Sequence, residues 1–214
     1  MDKRGKFIVI DGMDGSGKGT QIRLLQDKLA GKNAFFTREP GGAGNALAEE
    51  IRAMLLRPGG PASTATTDFF LFFASRAAHI ELTVEPMRQK GTHVLSDRYD
   101  SSTFAFQIRG ENTDPWLQDM FMKVRETLPA MYYPDLYIVL DLSAEVAYER
   151  RAKDAAQEKS KFDTKPLEYH ERVRAGFNSF AQHFGPVQFV DAQRTPEEVH
   201  ADIWKLVSRE LGLN

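Results

Sequence analysis

The chain has 214 residues, of which 42% are hydrophobic and 27% are charged, as expected of a globular protein that builds one sizeable core. The formal net charge is −2, so the composition gives no basic footprint for nucleic acid. The absence of cysteine excludes disulfides, thiolate metal sites and a cysteine nucleophile, and it fits a reducing, cytoplasmic location. Residues 1–6 lead directly into the first apolar run, so we expect no signal peptide. No apolar run could span a bilayer, so we expect no membrane partner.

A short apolar run, a glycine-rich turn and a helix open the chain. Residues 7–10 are typical of a buried strand, and Ile22, Leu25 and Leu29 recur at helical spacing after the turn. A strand, glycine loop and helix in this order form the phosphate cradle of a P-loop protein. The residues that we predict to bind nucleotide phosphates are Gly12, Met13, Asp14, Gly15, Ser16, Gly17, Lys18, Gly19 and Thr20.

The chemistry of this loop suits an anion. Glycines let the backbone N–H groups turn inward, and the helix that starts near Lys18 adds the positive end of its dipole. We expect the Lys18 side chain to face solvent or ligand and to reach the outer phosphates. Gly19 stands where the usual motif has a Mg²⁺-binding hydroxyl, and Thr20 follows it, so the loop resembles that of nucleoside monophosphate kinases such as adenylate kinase. An ordinary glycine turn is the alternative.

The later apolar runs predict four more strands that alternate with helices. These strands are residues 34–37, 92–96, 137–141 and 187–191. Apolar residues at helical spacing mark helices around residues 22–29, 47–55, 68–88, 121–128, 146–153, 169–180 and 199–207. Thr195, Pro196 and Glu198 form a capping box at the start of the last helix. The pattern predicts a single α/β domain over residues 1–214, with a doubly wound, three-layer αβα fold and a five-stranded parallel sheet.

Two segments near the predicted strand ends carry polar chemistry. Asp97 and Arg98 follow the third strand at its carboxyl end, where parallel α/β sheets bind ligands. Phe72 and Arg76 are four residues apart, so both side chains lie on one face of the predicted helix. An arginine beside an aromatic residue on an otherwise buried helix faces either a salt bridge or a ligand, and the spacing leaves both open.

A polar segment with little apolar periodicity separates two basic clusters. These clusters are Arg150-Arg151-Ala152-Lys153 and Lys159-Ser160-Lys161. The segment could be a solvated loop. Alternatively, residues at about 150–163 form a mobile lid that brings cations over the phosphates.

Several motifs occur in an order that resembles the bacterial thymidylate kinase family from about residue 6 to residue 211. After the glycine loop these motifs are Thr37-Arg38-Glu39-Pro40-Gly41-Gly42, Phe72-Phe73-Ala74-Ser75-Arg76, Asp97-Arg98-Tyr99 with Ser101, Ser102 and Gln107, and Pro134-Asp135-Leu136. The combination of residues 37–42 with residues 97–102 is far more specific than the glycine loop alone. The resemblance implies a P-loop NTPase fold and transfer of the ATP γ-phosphoryl group to dTMP, giving dTDP and ADP, with Mg²⁺.

The resemblance also assigns phosphate-binding roles, because phosphoryl transfer needs positioning and charge neutralisation. Lys18 and the loop amides would hold the ATP phosphates, and Asp97 would act on Mg²⁺ directly or through water. Arg38 and Arg98 would clamp the dTMP phosphate through their planar guanidinium groups. Asp14 would lie near the sugar 3′-hydroxyl and the phosphate.

The base would be read by a second group of residues. Phe72 would stack on thymine, and Arg76 would donate to a thymine carbonyl. Ser102 and Gln107 would complete the base edge. Phe106 stands where relatives often carry a tyrosine that crowds out a ribose 2′-hydroxyl, and its bulk could do the same.

The family supplies a catalytic arginine from the glycine loop or from the lid. This glycine loop has none, so the lid would have to supply it, and Arg150 aligns best, with Arg151 and Lys153 as neighbours. Such an arginine contributes ~3–5 decades to the rate of comparable reactions. The implied catalytic residues are Lys18, Arg98, Arg150 and Asp14.

Two other functions remain open on the sequence. The chain could be a nucleoside monophosphate kinase with another base preference, such as dUMP, dGMP or AMP. It could also be a catalytically inactive nucleotide-binding regulatory protein. Relatives are mostly homodimers, and by that analogy the aromatic helix that begins near Phe69 could supply a dimer interface.

Overall fold

The computed structural model describes residues 4–42, 44–57, 60, 62–153 and 165–213. Its centre is a five-stranded parallel sheet with the strand order β2-β3-β1-β4-β5. The strands are β1 (Phe7–Gly12), β2 (Ala34–Arg38), β3 (His93–Asp97), β4 (Leu136–Asp141) and β5 (Val187–Asp191). All five predicted strands are therefore confirmed, and their bounds differ from the predicted ones by no more than about two residues.

Helices connect the strands as predicted. They are α1 (Lys18–Lys28), α2 (Ala46–Leu56), α3 (Ala65–His79), α4 (Glu85–Gln89), α5 (Asp100–Ser102), α6 (Pro115–Thr127), α7 (Ala144–Lys153), α8 (Leu167–His183) and α9 (Pro196–Leu211). Two π-helical segments, Ile80–Val84 and Thr103–Gly110, continue α3 and α5, and a 3₁₀ turn spans Ala130–Tyr132. In the part of the chain that the structure describes, no helix is both long and apolar enough to cross a membrane.

Helix caps explain two of the observed boundaries. The predicted long helix at residues 68–88 begins earlier, at Ala65, because the hydroxyl of Thr64 accepts a hydrogen bond from the backbone N–H of Thr67. At α9 the predicted capping box is confirmed: Thr195 and Glu198 each accept from the other's backbone N–H.

The sheet carries an apolar core on each face, because successive residues of the central strand β1 point to opposite sides. Ile8 and Ile10 belong to a cluster that contains apolar residues of α1 and α9. Phe7 and Val9 belong to a second cluster that contains aromatic residues of α3, α6 and α8. The predicted three-layer αβα architecture is therefore confirmed.

The strand register gathers the candidate site at one edge of the sheet. Ile10 of β1 lies beside Asp97 of β3, and Asp97 lies beside Arg38 of β2. On the other side of β1, Gly12 lies beside Leu140 of β4. The loops that leave β1, β2 and β3 at their carboxyl ends therefore start next to one another. Residues 154–163 of the predicted lid lie outside the described residues.

Candidate functional site

The glycine loop packs closely on its neighbours and enters α1 through a glycine. A Cβ at Gly15 would collide with the backbone oxygen of Ala147 in α7. Gly17, the N-cap of α1, has a φ of 88°, in the left-handed region that favours glycine. No described heavy atom lies within 4 Å of a Cβ built at Gly17 or Gly19. The first N–H groups of α1 therefore border open space, and they need acceptors that the helix itself cannot provide.

The Lys18 side chain lies across the loop and does not extend into solvent, contrary to that part of the sequence prediction. Lys18 is only 7% exposed, and its Nζ donates to the backbone oxygens of Gly12 (3.0 Å) and Met13 (2.8 Å). Burial and the nearby charge of Arg98 lower the pKa of Lys18. Both effects disfavour the charged ammonium. An anion bound at the loop would attract this ammonium and would stabilise its charged form.

Two polar side-chain atoms in the loop region are buried without a hydrogen-bond partner among the described residues. They are Ser16 Oγ and Asp97 Oδ1. Burial raises the pKa of Asp97, and the positive charges of Lys18 and Arg98 oppose that rise only in part. Mg²⁺ typically uses one or two carboxylates together with phosphate oxygens and water. Asp97 fits that ligand set, and the described residues contain no cluster of three His, Cys, Asp or Glu that would form a complete protein cage.

Arg98 joins the glycine loop to the segment that follows β3. Its backbone φ is 69°, which is uncommon outside glycine, and its guanidinium lies 4.9 Å from the ring centroid of Phe106. The acceptors of its hydrogen bonds are Gly12 O (2.9 Å), Ser102 Oγ (2.9 Å) and Asp11 Oδ1 (3.3 Å) from Nη1, and Asp14 Oδ1 (2.6 Å) from Nη2. No described residue accepts from Nε. Although burial lowers the pKa of Arg98, the surrounding carboxylates raise it by more.

Asp14 lies in the glycine loop and faces Arg98. Burial by itself raises the pKa of Asp14, but the charges of Arg98, Lys18 and Arg151 lower it by more. The carboxylate is therefore held ionised at the point where the loop meets the guanidinium. The structure therefore brings Asp14, Lys18 and Arg98, three of the predicted catalytic residues, close together.

A second group of cations surrounds the end of β2. The Arg38 side chain is 53% exposed and pairs with Glu49 at 3.2 Å. Arg52 of α2 is partly buried and donates to Pro40 O at 2.6 Å. Burial and the charge of Arg38 lower the pKa of Arg52, with a smaller contribution from Arg98. Arg52 therefore lies within electrostatic range of two other guanidinium groups, those of Arg38 and Arg98, and of Asp97, a concentration of positive charge that suits a phosphate.

For the predicted base-reading arginine, the structure shows one of the two alternatives left open by its spacing, the salt bridge. Arg76 is 1% exposed, and it donates from Nε to Glu39 (2.9 Å) and from Nη2 to Thr103 (3.0 Å). His79 bonds the other carboxylate oxygen of Glu39 at 3.0 Å. A buried salt bridge therefore fixes the guanidinium. Its Nη1, buried and without a partner among the described residues, is the group left for a ligand.

The other predicted base contacts are buried near this end of the sheet. Phe72 is 9% exposed, Phe106 5% and Gln107 2%. Ser102 accepts from Arg98 and donates its hydroxyl hydrogen to Asp11 at 2.7 Å, so any further contact of this hydroxyl would be as an acceptor.

A family model described as thymidylate kinase matches residues 10–203. The chain belongs to the thymidylate kinase family. One similar protein is the thymidylate kinase of Hahella chejuensis, which is 36% identical over 214 residues; the alignment covers 98% of this chain and 99% of the relative. Another is the thymidylate kinase of Carboxydothermus hydrogenoformans, which is 38% identical, with 99% of each chain covered. The thymidylate kinase of Symbiobacterium thermophilum is 38% identical, with 96% of this chain and 94% of the relative covered.

Arg150 is the predicted lid arginine. Arg150 and its neighbour Arg151, both in α7, differ in their surroundings. Arg150 is exposed and donates to Ala192 O (3.0 Å) beyond the end of β5. Arg151 is 9% exposed, and its charge helps to lower the pKa of Asp14. The charge of Arg151 therefore lies close to Asp14 of the glycine loop, whereas the exposed guanidinium of Arg150 donates to a backbone oxygen beyond β5.

Sequence reasoning missed two residues that contact the predicted site residues. Arg52 lies on the polar face of an amphipathic helix, and only the folding of the β2–α2 loop back onto that helix brings it to Arg38. Asp11 is fully buried at the end of β1 and bonds Arg98, Ser101 and Ser102. An acidic residue closing an apolar strand is the signal that could have found it.

Asp97→Asn should increase the stability of the nucleotide-free and metal-free protein, because it neutralises a buried oxygen that has no described partner. Since the pKa of Asp97 is raised in the fold, this gain should be largest near neutral pH and vanish as the pH falls and wild-type Asp97 becomes protonated. Urea unfolding in EDTA at several pH values measures it.

The matched control is Asp100→Asn. Asp100 accepts from Arg125 and from Tyr137 (2.6 Å), so its neutralisation should cost about 1–3 kcal/mol. Equal destabilisation by both substitutions would contradict the assignment of Asp97 as an unsatisfied carboxylate.

Proposed function

We propose that this protein transfers the γ-phosphoryl group of ATP to dTMP, giving dTDP and ADP. The observation that carries the proposal is the position of Arg98, whose guanidinium donates to Gly12 O in the glycine loop and to Asp14 while Nε has no described acceptor. Two polyanions brought to reaction distance repel each other unless cations lie between them. A protein that only bound a nucleotide would not need this second cation. Membership of the thymidylate kinase family supports the choice of dTMP.

On the donor side, residues 12–20 would bind the ATP phosphates. The first N–H groups of α1 and the ammonium of Lys18 supply positive charge to one point. Bound Mg²⁺ would neutralise charge on the β- and γ-phosphates, and Asp97 would hold it. Lys18 would exchange its bonds to Gly12 and Met13 for phosphate oxygens.

On the acceptor side, Arg38 and Arg98 would clamp the dTMP phosphate, with Arg52 adding to the local positive charge. Asp14 would lie at the sugar 3′-hydroxyl and hold Arg98 in place. Phosphoryl transfer has little covalent chemistry for the protein to perform, so catalysis by Lys18 and Arg98 consists of positioning and charge stabilisation.

For the base, Phe72 would stack on thymine and Arg76 would donate to a thymine carbonyl from Nη1, which is its one nitrogen without a described partner. Ser102 and Gln107 would complete the polar edge. Phe106, buried beside Arg98, would exclude a ribose 2′-hydroxyl by bulk.

We also propose a homodimer in the cytoplasm. Large apolar side chains are exposed on α2, α3 and the π-segment after it, among them Met54 (62%), Phe70 (50%) and Leu82 (67%). A second copy of the chain would cover such a surface.

The decisive experiment is a coupled assay of ADP formation with ATP, Mg²⁺ and a panel of dTMP, dUMP, dGMP, AMP and CMP. The expected result is the highest kcat/KM for dTMP. A preference for AMP or CMP would overturn the thymidine assignment, and ATP binding with no transfer to any monophosphate would overturn the kinase assignment.

Arg76→Lys should raise the KM for dTMP about tenfold, the equivalent of one charge-assisted hydrogen bond, and leave the KM for ATP within about twofold. Lysine keeps the charge that Glu39 needs but loses Nη1. Arg88→Lys is the control, because Arg88 is also buried and paired with a carboxylate, that of Asp135, at the opposite end of the sheet. Equal increases in both KM values for Arg76→Lys would contradict the base contact.

Arg150→Met should lower kcat by about three decades with little change in the KM for dTMP, because an exposed arginine can turn to the transferring phosphoryl group. Lys153→Met, a change at another exposed cation of α7, should alter kcat less than about threefold. If Arg151→Met costs more in kcat than Arg150→Met, the catalytic arginine is Arg151.

A further inference from the structure

Asp11 is a buried carboxylate that the proposed chemistry does not use directly. It lies at the carboxyl end of β1, beside Val139 of β4, and its exposure is 0%. Its hydrogen-bond donors are Gly12 N (2.8 Å), Ser102 Oγ (2.7 Å) and Arg98 Nη1 (3.3 Å) to Oδ1, and Ser101 Oγ (2.5 Å) to Oδ2. These donors come from the glycine loop and from the segment after β3. One side chain therefore connects the two.

Such a residue is costly as a purely structural element. A buried carboxylate loses its hydration, and hydrogen bonds from neutral hydroxyl and amide groups replace that hydration only in part. Arg98 is the one cation that donates to Asp11 among the described residues. The charge of Asp11 therefore has its strongest partner in the arginine that the acceptor phosphate would meet.

The contacts of Arg98 divide its guanidinium into an occupied end and an open edge. Gly12 O, Ser102 Oγ and Asp11 Oδ1 take the hydrogens of Nη1, and Asp14 takes one hydrogen of Nη2. Nε and one hydrogen of Nη2 have no described acceptor, and these two nitrogens bound one edge of the planar group. This edge has the fork geometry that binds two phosphate oxygens.

The turn that carries Arg98 is also anchored from the opposite side, within the core. Asp100 accepts from Arg125 and from Tyr137 (2.6 Å), and Tyr99 donates to Tyr132 O (2.7 Å). These contacts hold the left-handed backbone at Arg98 without Asp11. The contribution of Asp11 is therefore to the rotation of the guanidinium and to its distance from the glycine loop.

We propose that Asp11 is the positioning residue that presents the open edge of Arg98 to the acceptor phosphate and fixes the spacing between the acceptor clamp and the glycine loop. Oδ1 is shared by Gly12 N and Arg98 Nη1, so this oxygen sets that spacing together with the direct bond from Arg98 to Gly12 O. The inference rests on the proposed function in that it assumes a monophosphate acceptor at Arg98. It does not depend on which base the acceptor carries.

The test is Asp11→Asn. Asparagine keeps the size and can still accept from Gly12 if its amide group faces Ser101, whose hydroxyl can reverse and accept. The charge that orients Arg98 is lost. The dissociation constant of the monophosphate, measured by calorimetry, should rise about tenfold and kcat should fall, while the KM for ATP should stay within about twofold.

Asp135→Asn is the matched control. Asp135 also accepts from a backbone N–H, that of Phe7, and from the cations Lys6 and Arg88, but at the amino end of β1. This change should lower the melting temperature without altering monophosphate binding. A merely structural role of Asp11 would produce the same pattern as the control.

A double-mutant cycle tests whether Asp11 affects monophosphate binding through Arg98. In an Arg98→Lys background, Asp11→Asn should change monophosphate binding less than about twofold, because the oriented fork is already gone. A full tenfold loss in that background, or no loss in the wild-type background, would overturn the proposal.

If Asp11→Asn does not fold, Ser101→Ala, which removes one donor to Asp11, should raise the same dissociation constant about threefold. No change in that variant would overturn the proposal equally.

The monophosphate in these measurements is the one that wild-type protein uses best in the substrate panel. A preference for a base other than thymine would defeat the dTMP assignment and leave the Asp11 test intact. If no monophosphate binds to wild type, Arg98 is not an acceptor clamp and both proposals fail.

Discussion

The parallel pairing of β1 with β3 is the constraint on which the candidate site depends. Ile10 lies beside Asp97, and the backbone N–H of Arg98 donates to Ile10 O at 2.9 Å. This one register brings the glycine loop, which follows β1, against the segment that follows β3. A shift by one residue would turn every side chain of β3 to the other face and take Asp97 and Arg98 away from the loop.

The charged groups of the site compensate one another as a cluster within a small volume and not as separate ion pairs. Burial and the neighbouring Arg98 disfavour the charged form of Lys18, and burial does the same for Asp97. Asp14 and Arg98 stabilise each other in their charged forms. A polyanion and a divalent cation would each meet a group whose charge is incompletely compensated, which is how preorganised sites favour charged ligands.

The segment after β2 is held differently, by a buried salt bridge. Glu39 accepts from Arg76 and bonds His79, and His79 in turn bonds Thr37 at 2.8 Å. This network ties the end of β2 and the loop that follows it to α3, the helix that carries Phe72 and Arg76. Buried polar contacts of this kind are rigid when all their partners are present, and Arg76 Nη1 still lacks a partner among the described residues.

Sequence patterns were enough to predict the alternation of strands and helices, the glycine loop, the capping box of α9 and the family to which the motifs belong. These features are encoded locally, in periodicity and in residues with special backbone preferences. The sequence could not determine that Lys18 lies buried across its own loop, that Arg76 pairs with Glu39, that Arg52 lies near Arg38, or that Asp11 accepts from Arg98. Except for the bonds of Lys18, these contacts join residues well separated in the chain. The free energies of all of them depend on burial and on neighbouring charges that exist only after the strands have paired.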